Sequence, residues 1–447
     1  MNKQTMMTEG AIWKKILLFS IPLILGNLFQ QLYNTVDSII VGRFIGSNAL
    51  AAVGSGSSFI NLLIGFCVGA SAGAGVVISQ AYGAQDTERV HKAVHTTIAI
   101  AIVSGLVVTL AGVLLAPVVH NIMGTPKEVY ADAVRYLRVY FGGMLFSVVY
   151  NLAAGILNAV GNSKRSLIYL MIAAFSNIIL DLFFVVVLKM GVVGVALATD
   201  ISQFLSCIFI IGYLLKTNEV YKIKLREIRF YDNLVSKILK IGLPTGIQNI
   251  VIALSNVIIQ SGVNSFGPVV MAGFTSYVKI DGFNFLPVMS FSMAATTFTG
   301  QNIGAGKIDR VKKGMKVSIA MGVGYAIATG MLLYIIAPQA MGIFTKDPDV
   351  VACGVYLTKF FCPFYWILSF SHILAGTIRG TGKTLPPMII ILVSLCLFRI
   401  IWIATMVPVI GELYGLIMVY PISFVILATL MILYAKFGKW LPKEGVK

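Results

Sequence analysis

Apolar runs of about twenty residues, free of charge, recur along this chain and restrict its fold more than any other feature. Residues 97–117 and 317–337 are two examples. About 20 helical residues, at 1.5 Å each, cross the roughly 30 Å hydrocarbon core of a bilayer. Strands of a membrane barrel would alternate apolar and polar residues over about ten positions, and these runs do not alternate. Lipid admits only helices and closed barrels, because every backbone group must be satisfied internally. Composition agrees: 58% of the 447 residues are hydrophobic and 11% charged, against about 45–50% and about 25% in soluble domains. The expected fold class is therefore an all-α polytopic membrane protein of about twelve spans. They fall near 15–42, 50–79, 94–117, 131–156, 167–188, 192–215, 238–263, 270–299, 316–337, 350–376, 386–408 and 413–435.

The net charge is +17, from 34 Lys and Arg against 17 Asp and Glu. In a soluble chain this would suggest nucleic acid; in a membrane chain, basic residues mark cytoplasmic loops. With the N-terminus inside, 25 basic residues fall on the cytoplasmic side, four (Arg43, Lys127, Lys189, Lys346) outside, and five within spans. That bias places both termini in the cytoplasm and leaves no nucleic-acid partner. The apolar run from Ile16 lacks a small-residue cleavage site and reads as the first span rather than a signal peptide. The five cysteines sit in apolar runs as packing residues, and His91, His95, His120 and His372 show no metal-ligand spacing.

The chain repeats itself. Ser20-Ile21-Pro22 returns as Gly242-Leu243-Pro244, and Gln80-Ala81-Tyr82-Gly83-Ala84 as Gln301-Asn302-Ile303-Gly304-Ala305. Gly194 and Ile201-Ser202 return as Gly415 and Ile422-Ser423, at nearly the same offset. The halves are expected as a first lobe over 1–218, a basic cytoplasmic linker over 219–236 and a second lobe over 237–447. Six spans per half make the repeat parallel, with a pseudo-twofold axis along the membrane normal. Transporters of that plan bind substrate between the halves and rock one against the other.

Ionisable residues within spans are expensive and point to function. The repeat acts as an internal control: Asp37 aligns with Ile259, Asp181 with Trp402 and Asp200 with Pro421. The fold itself therefore does not require these acids. Asp37, Asp181 and Thr199 lie five to seven residues, roughly 8–11 Å, below the outer ends of their spans. Asn177 is one turn before Asp181 on the same face. Asp37, Asn177, Asp181 and Thr199 are thus expected to form an all-oxygen cluster suited to Na+ or a shared proton. Asp200 points about 100° away from Thr199. Gln30, Tyr33, Asn34 and Asp37 form a polar helical stripe, answered in the second half by Gln248, Asn249 and Asn256. These residues, with Lys279 and Asp281, are candidates for the substrate cleft. Lys279 and Asp281 are equally open to an ion-pair network that includes Arg399. Phe283, Phe285, Phe361, Tyr365 and Trp366 are candidates for an apolar wall. The phosphate-loop look-alike at Arg379-Gly380-Thr381-Gly382-Lys383-Thr384 lacks the required first glycine, as residue 377 is Thr377. No nucleophile–base set appears, so the chain is not expected to be an enzyme.

Asp37-Ser38-Ile39-Ile40-Val41-Gly42-Arg43, Gln80-Ala81-Tyr82-Gly83-Ala84, Gln301-Asn302-Ile303-Gly304-Ala305-Gly306, and the turns at Gly161-Asn162 and Arg379-Gly380-Thr381-Gly382 together resemble the multidrug and toxic compound extrusion (MATE) family over essentially the full chain. The resemblance implies two six-helix lobes of the MATE/MOP-type fold around a cleft. It implies export of organic cations or amphiphiles in exchange for H+ or Na+, without a cofactor, from a monomer surrounded by lipid in the bacterial cytoplasmic membrane. Asn177-Ile178-Ile179-Leu180-Asp181 resembles the fifth-span signature of the bacterial, DinF-like branch, whose cation site lies in the first lobe. Asp37, Asn177, Asp181 and Thr199 each match a position of that site. The other branch uses acids in spans seven and ten, which are absent here. A lipid-linked oligosaccharide flippase of the same superfamily is the alternative.

Overall fold

The computed structural model describes residues 6–442, without the side chains of Ser47, Ser58, Leu62, Phe66 and Asp232. Lys3, Lys443 and Lys447, three of the basic residues in the charge count, lie outside the described residues. Every long apolar run is helical. In chain order the helices are α1 (Ile12–Ile40), α2 (Ser47–Gly83), α3 (Thr87–Ile122), α4 (Lys127–Gly142), α5 (Met144–Ala159), α6 (Ser163–Asp181), α7 (Gly191–Lys216) and α8 (Asp232–Asn264). They continue as α9 (Pro268–Gly304), α10 (Ile308–Gly342), α11 (Pro348–Phe361), α12 (Tyr365–Gly380), α13 (Leu385–Leu392), α14 (Phe398–Ile410), α15 (Leu413–Ile417) and α16 (Val419–Phe437). No strand occurs among the described residues.

Among the described residues, ten helical segments are long and apolar enough to cross a membrane, and α4 with α5, bent by 47° at Gly143, makes an eleventh. The twelfth expected span is α9. It is 37 residues long, but Lys279, Asp281 and many Ser, Thr, Asn and Gly residues make it less apolar. Several spans are interrupted. A π-helical turn (Val41–Ile45) continues α1, another (Leu182–Val187) continues α6, and a third (Val393–Leu397) joins α13 to α14. The Ser255 hydroxyl donates to the Leu395 carbonyl at 3.1 Å within the third turn. Such side chains satisfy backbone groups that an interrupted helix frees inside lipid. Outward faces stay apolar: Val103, Val107, Leu110 and Leu114 on α3 are all exposed, at the spacing of one helix face. A face like that has lipid as its solvent.

The chain packs as two compact units, one of Met6 and 21–247, the other of 7–20 and 248–442. The divisions fall inside α1 and α8, close to Pro22 and Pro244, rather than in the linker. The first unit is centred on Tyr82, Leu137, Phe141, Leu152 and Ile156, all fully buried. Within it, α2 meets the start of α8 backbone to backbone. A Cβ at Gly69 would stand 2.4 Å from the Gly246 nitrogen, and one at Gly73 2.3 Å from the Ile238 oxygen. This is the small-residue mode of helix contact in membranes. The second unit buries Phe298, Phe361 and Tyr365, with the Tyr277 and Phe361 rings 4.8 Å apart.

Candidate cation site

Three helices of the first unit supply the site. α1 brings Asp37 close to its C-terminal end, just before the first π turn. α6 brings Asn177 and, as its last residue, Asp181, at the start of the second π turn. α7 brings Thr199. Asn177, Asp181 and Thr199 are buried, Asp181 completely. The Asn177 amide donates to Thr199 Oγ1 at 3.5 Å, and that hydroxyl donates to the Val195 carbonyl at 3.2 Å. The Asp37 and Asp181 carboxyl groups lie within hydrogen-bonding range of each other. The structure thus brings Asp37 to Asp181 and Asn177 to Thr199, with α6 carrying one member of each pair.

Their hydrogen bonds do not close. Two carboxylates only accept, so neither can satisfy the other. Asp37 Oδ1, both Asp181 oxygens and Asn177 Oδ1 are buried without a partner. Orphaned buried acceptors on an all-oxygen donor set fit a hard cation such as Na+, and they fit equally a proton shared between the acids. Either ion would be a transported substrate rather than a resident cofactor.

Three nearby residues were not foreseen. Tyr136 and Tyr140, one turn apart on α4, lie close enough to Asp37 and Asp200 to feel their charge. The Asp200 carboxylate lies within hydrogen-bonding range of the Gly143 backbone N–H at the bend between α4 and α5, where that N–H also donates to the Phe141 carbonyl. A Cβ at Gly143 would sit 2.2 Å from Asp200 Cγ, so glycine is required there. Gly142-Gly143 in mid-span was the available signal.

The cleft candidates are dispersed. On α1, Tyr33 is buried and within hydrogen-bonding range of Gln30, whereas Gln30 and Asn34 are exposed. In the second unit Gln248 is buried, Asn249 half-buried and Asn256 exposed. Lys279 and Asp281 diverge. The Lys279 ammonium is exposed, 5.8 Å from the Phe344 ring centre. Asp281 lies within hydrogen-bonding range of Tyr365, whose hydroxyl donates to Tyr277 at 3.3 Å. Arg399 does not ion-pair with Asp281 among the described residues. It stacks 4.4 Å from the Tyr420 ring centre and donates to Ser423 Oγ at 3.0 Å. Of the expected aromatic wall, Phe361 and Tyr365 are core residues, whereas Phe283 and Trp366 are exposed. Arg379 of the phosphate-loop look-alike is near the end of α12 and donates to Ser292 Oγ at 3.2 Å.

One reading from the sequence needs correction. His91 and His95 do have ligand spacing, at i and i+4 on α3. Glu227 from the linker joins them, with one ligand atom from each residue within 4.8 Å of the others. The third member is 136 residues from His91, beyond the reach of any local motif.

Comparison with known proteins agrees with the architecture. The MatE family model matches twice, over residues 22–183 and 244–405, an offset of 222 like that of the internal repeat. The chain is 27% identical to the probable multidrug resistance protein YpnP of Bacillus subtilis, over 97% of each chain. It is 28% identical to the probable multidrug resistance protein YoeA of the same organism, over 98% of this chain and 96% of that one. A solved structure described as the outward-facing conformation of a multidrug resistance MATE family transporter of the MOP superfamily has the same fold. It superposes with a TM-score of 0.92 at 24% identity, over 97% of each chain. With two family matches in one chain of membrane-crossing helices, this protein belongs to the MatE family, a family of multi-pass membrane transporters and not of enzymes.

Proposed function

We propose that the protein is a secondary active exporter, moving organic cations or amphiphilic drugs outward in exchange for H+ or Na+ by alternating access. The observation that carries this reading is the group of partnerless oxygens on Asp37, Asp181 and Asn177. A buried carboxylate without a partner costs several kcal/mol. A proton or Na+ bound by Asp37 and Asp181 removes that cost, and the ion's departure restores it. Ion occupancy is thereby tied to the packing of α1 and α6, which lets an ion gradient drive a conformational cycle. Asn177 and Thr199 supply further oxygens and hold α6 against α7.

The names of the bacterial relatives support drug-like cargo. The acids beside the polar stripe of Gln30, Tyr33 and Asn34 suit a cationic cargo. Gln248, Asn249, Asn256, Lys279 and Asp281 are the second unit's candidate contacts. The charge bias supports an orientation with both termini in the bacterial cytoplasm, and the chain acts as a monomer without a cofactor.

The test is ethidium efflux from vesicles under an imposed proton or sodium gradient. Wild type should export under one of the two gradients, which identifies the ion. Asp37→Asn and Asp181→Asn should abolish that efflux while remaining folded in the membrane. Undiminished efflux from both variants would refute the coupling site. No efflux from folded wild type under either gradient would refute multidrug cargo and favour the lipid-linked oligosaccharide flippase.

A further inference from the structure

The linker between α7 and α8 is packed against the first unit rather than hanging free. The Ile223 amide donates to the Leu214 carbonyl at 2.9 Å, and the Tyr221 and Tyr213 hydroxyls meet at 3.2 Å. The Lys224 amide donates to His95 Nε2 at 3.0 Å. Three residues on, Glu227 of the short 3-10 turn Leu225–Glu227 hydrogen-bonds to His91 Nε2. Two imidazoles and a carboxylate therefore converge where the linker crosses the first turns of α3.

We propose that His91, His95 and Glu227 form a site for a divalent transition-metal ion of the Zn2+ type, which fastens the linker to α3. The residue types suit such an ion, since imidazole nitrogen and carboxylate oxygen are zinc ligands and three protein ligands leave a fourth position for water. The spacing suits it, because His91 and His95 are one turn apart with ring centres 4.1 Å from each other. The hydrogen bonding also suits it. His95 Nδ1 lies 2.7 Å from the His91 carbonyl, the outer-shell bond that orients a ligating imidazole. Nε2 is then the nitrogen that carries the ring lone pair, which here accepts the Lys224 amide. Bringing the three donor atoms from within 4.8 Å to about 2.0–2.2 Å of one ion takes side-chain adjustment, displacement of that amide, and release to solvent or transfer to Nδ1 of the proton that His91 Nε2 donates to Glu227. His91 and Glu227 are partly exposed, which gives the ion a way in, while buried His95 anchors the site. The Lys224 ammonium opposes a cation, but it lies against the other Glu227 oxygen, Oε1, at 2.9 Å.

The test uses tag-free, chelator-treated full-length protein in detergent. Co2+ is titrated while visible absorption is recorded, and Zn2+ is titrated by calorimetry. Hydrogen exchange over 217–231 is followed with and without Zn2+. One equivalent of Co2+ should give the intense d–d band of a four-coordinate ion, and Zn2+ should slow exchange in the linker. His91→Ala and Glu227→Gln alter partly exposed side chains and spare the buried anchor. Each should weaken Zn2+ binding by more than the about 10–100-fold lost with an outer-shell partner. Absence of the Co2+ band would overturn the proposal, as would Zn2+ binding that neither variant changes.

Discussion

Gly73→Ala isolates the contact between α2 and the start of α8. The added Cβ would stand 2.3 Å from the Ile238 oxygen, 2.6 Å from the Gly242 nitrogen and 2.8 Å from the Gly242 Cα. Ordinary contact for such atoms is about 3.5 Å, so the two backbones must separate by roughly 1 Å. The atoms in the way are all main chain and cannot rotate aside. Overpacking of this kind costs about 1–3 kcal/mol, partly masked by the roughly 1 kcal/mol that alanine gains over glycine in a helix. Gly75, two residues along the same helix, removes the ambiguity. Its Cβ would find only the Gly155 oxygen, at 4.0 Å, so Gly75→Ala takes the propensity gain without the clash. The difference between the two variants should therefore be about 1–3 kcal/mol, about five- to 150-fold in the unfolding equilibrium. Unfolding in mixed micelles titrated with SDS would measure it. Equal stability of the two variants would refute the close approach of α2 and α8.

At the bend between α4 and α5, Asp200→Ala should destabilise by about 0.5–1.5 kcal/mol by removing a second acceptor from the Gly143 N–H, which keeps the Phe141 carbonyl. Asp200→Asn, which keeps an acceptor, should cost less, and the same SDS titration compares them. Arg399→Ala should lower the thermal midpoint of the purified protein more than Lys279→Ala does, since Arg399 is buried against Tyr420 and Ser423 while Lys279 is exposed. Asn177→Ala should weaken the coupling ion without abolishing export, seen as a shift of ion-concentration dependence to higher values in the efflux assay. Lys346→Cys should react with a membrane-impermeant maleimide in intact cells and Lys313→Cys only after lysis; the reverse pattern would overturn the proposed orientation.

Much of this was legible in the amino-acid order because lipid leaves a chain few options. A charge-free run of twenty residues has one stable form there, and a sequence offset that persists from Pro22 to Ile422 exposes the repeat. Asn177 and Asp181 could be placed on one face because a single helix carries both. Asp37 and Thr199 could be added because depth in a span is counted from its end. Relations that depend on packing between helices stayed hidden. Nothing local to Asp200 says that it caps a bend 57 residues earlier, at Gly143. Nothing local to α3 announces Glu227. The divisions near Pro22 and Pro244 also escaped, because proline marks where a helix can yield but not which partner each part packs against.

The two π turns beside the acids have a mechanical consequence. A π turn is a helix holding one spare residue, kept in place because its neighbours fit around it. If Val41–Ile45 or Leu182–Val187 rewound as ordinary helix, that residue would have to pass along the chain. Each residue passed turns one side of the helix against the other by about 100°. Asp181 borders one such turn and Asp37 stands one helical turn before the other, so a change of register there would rotate each acid against the helix beyond it by that angle.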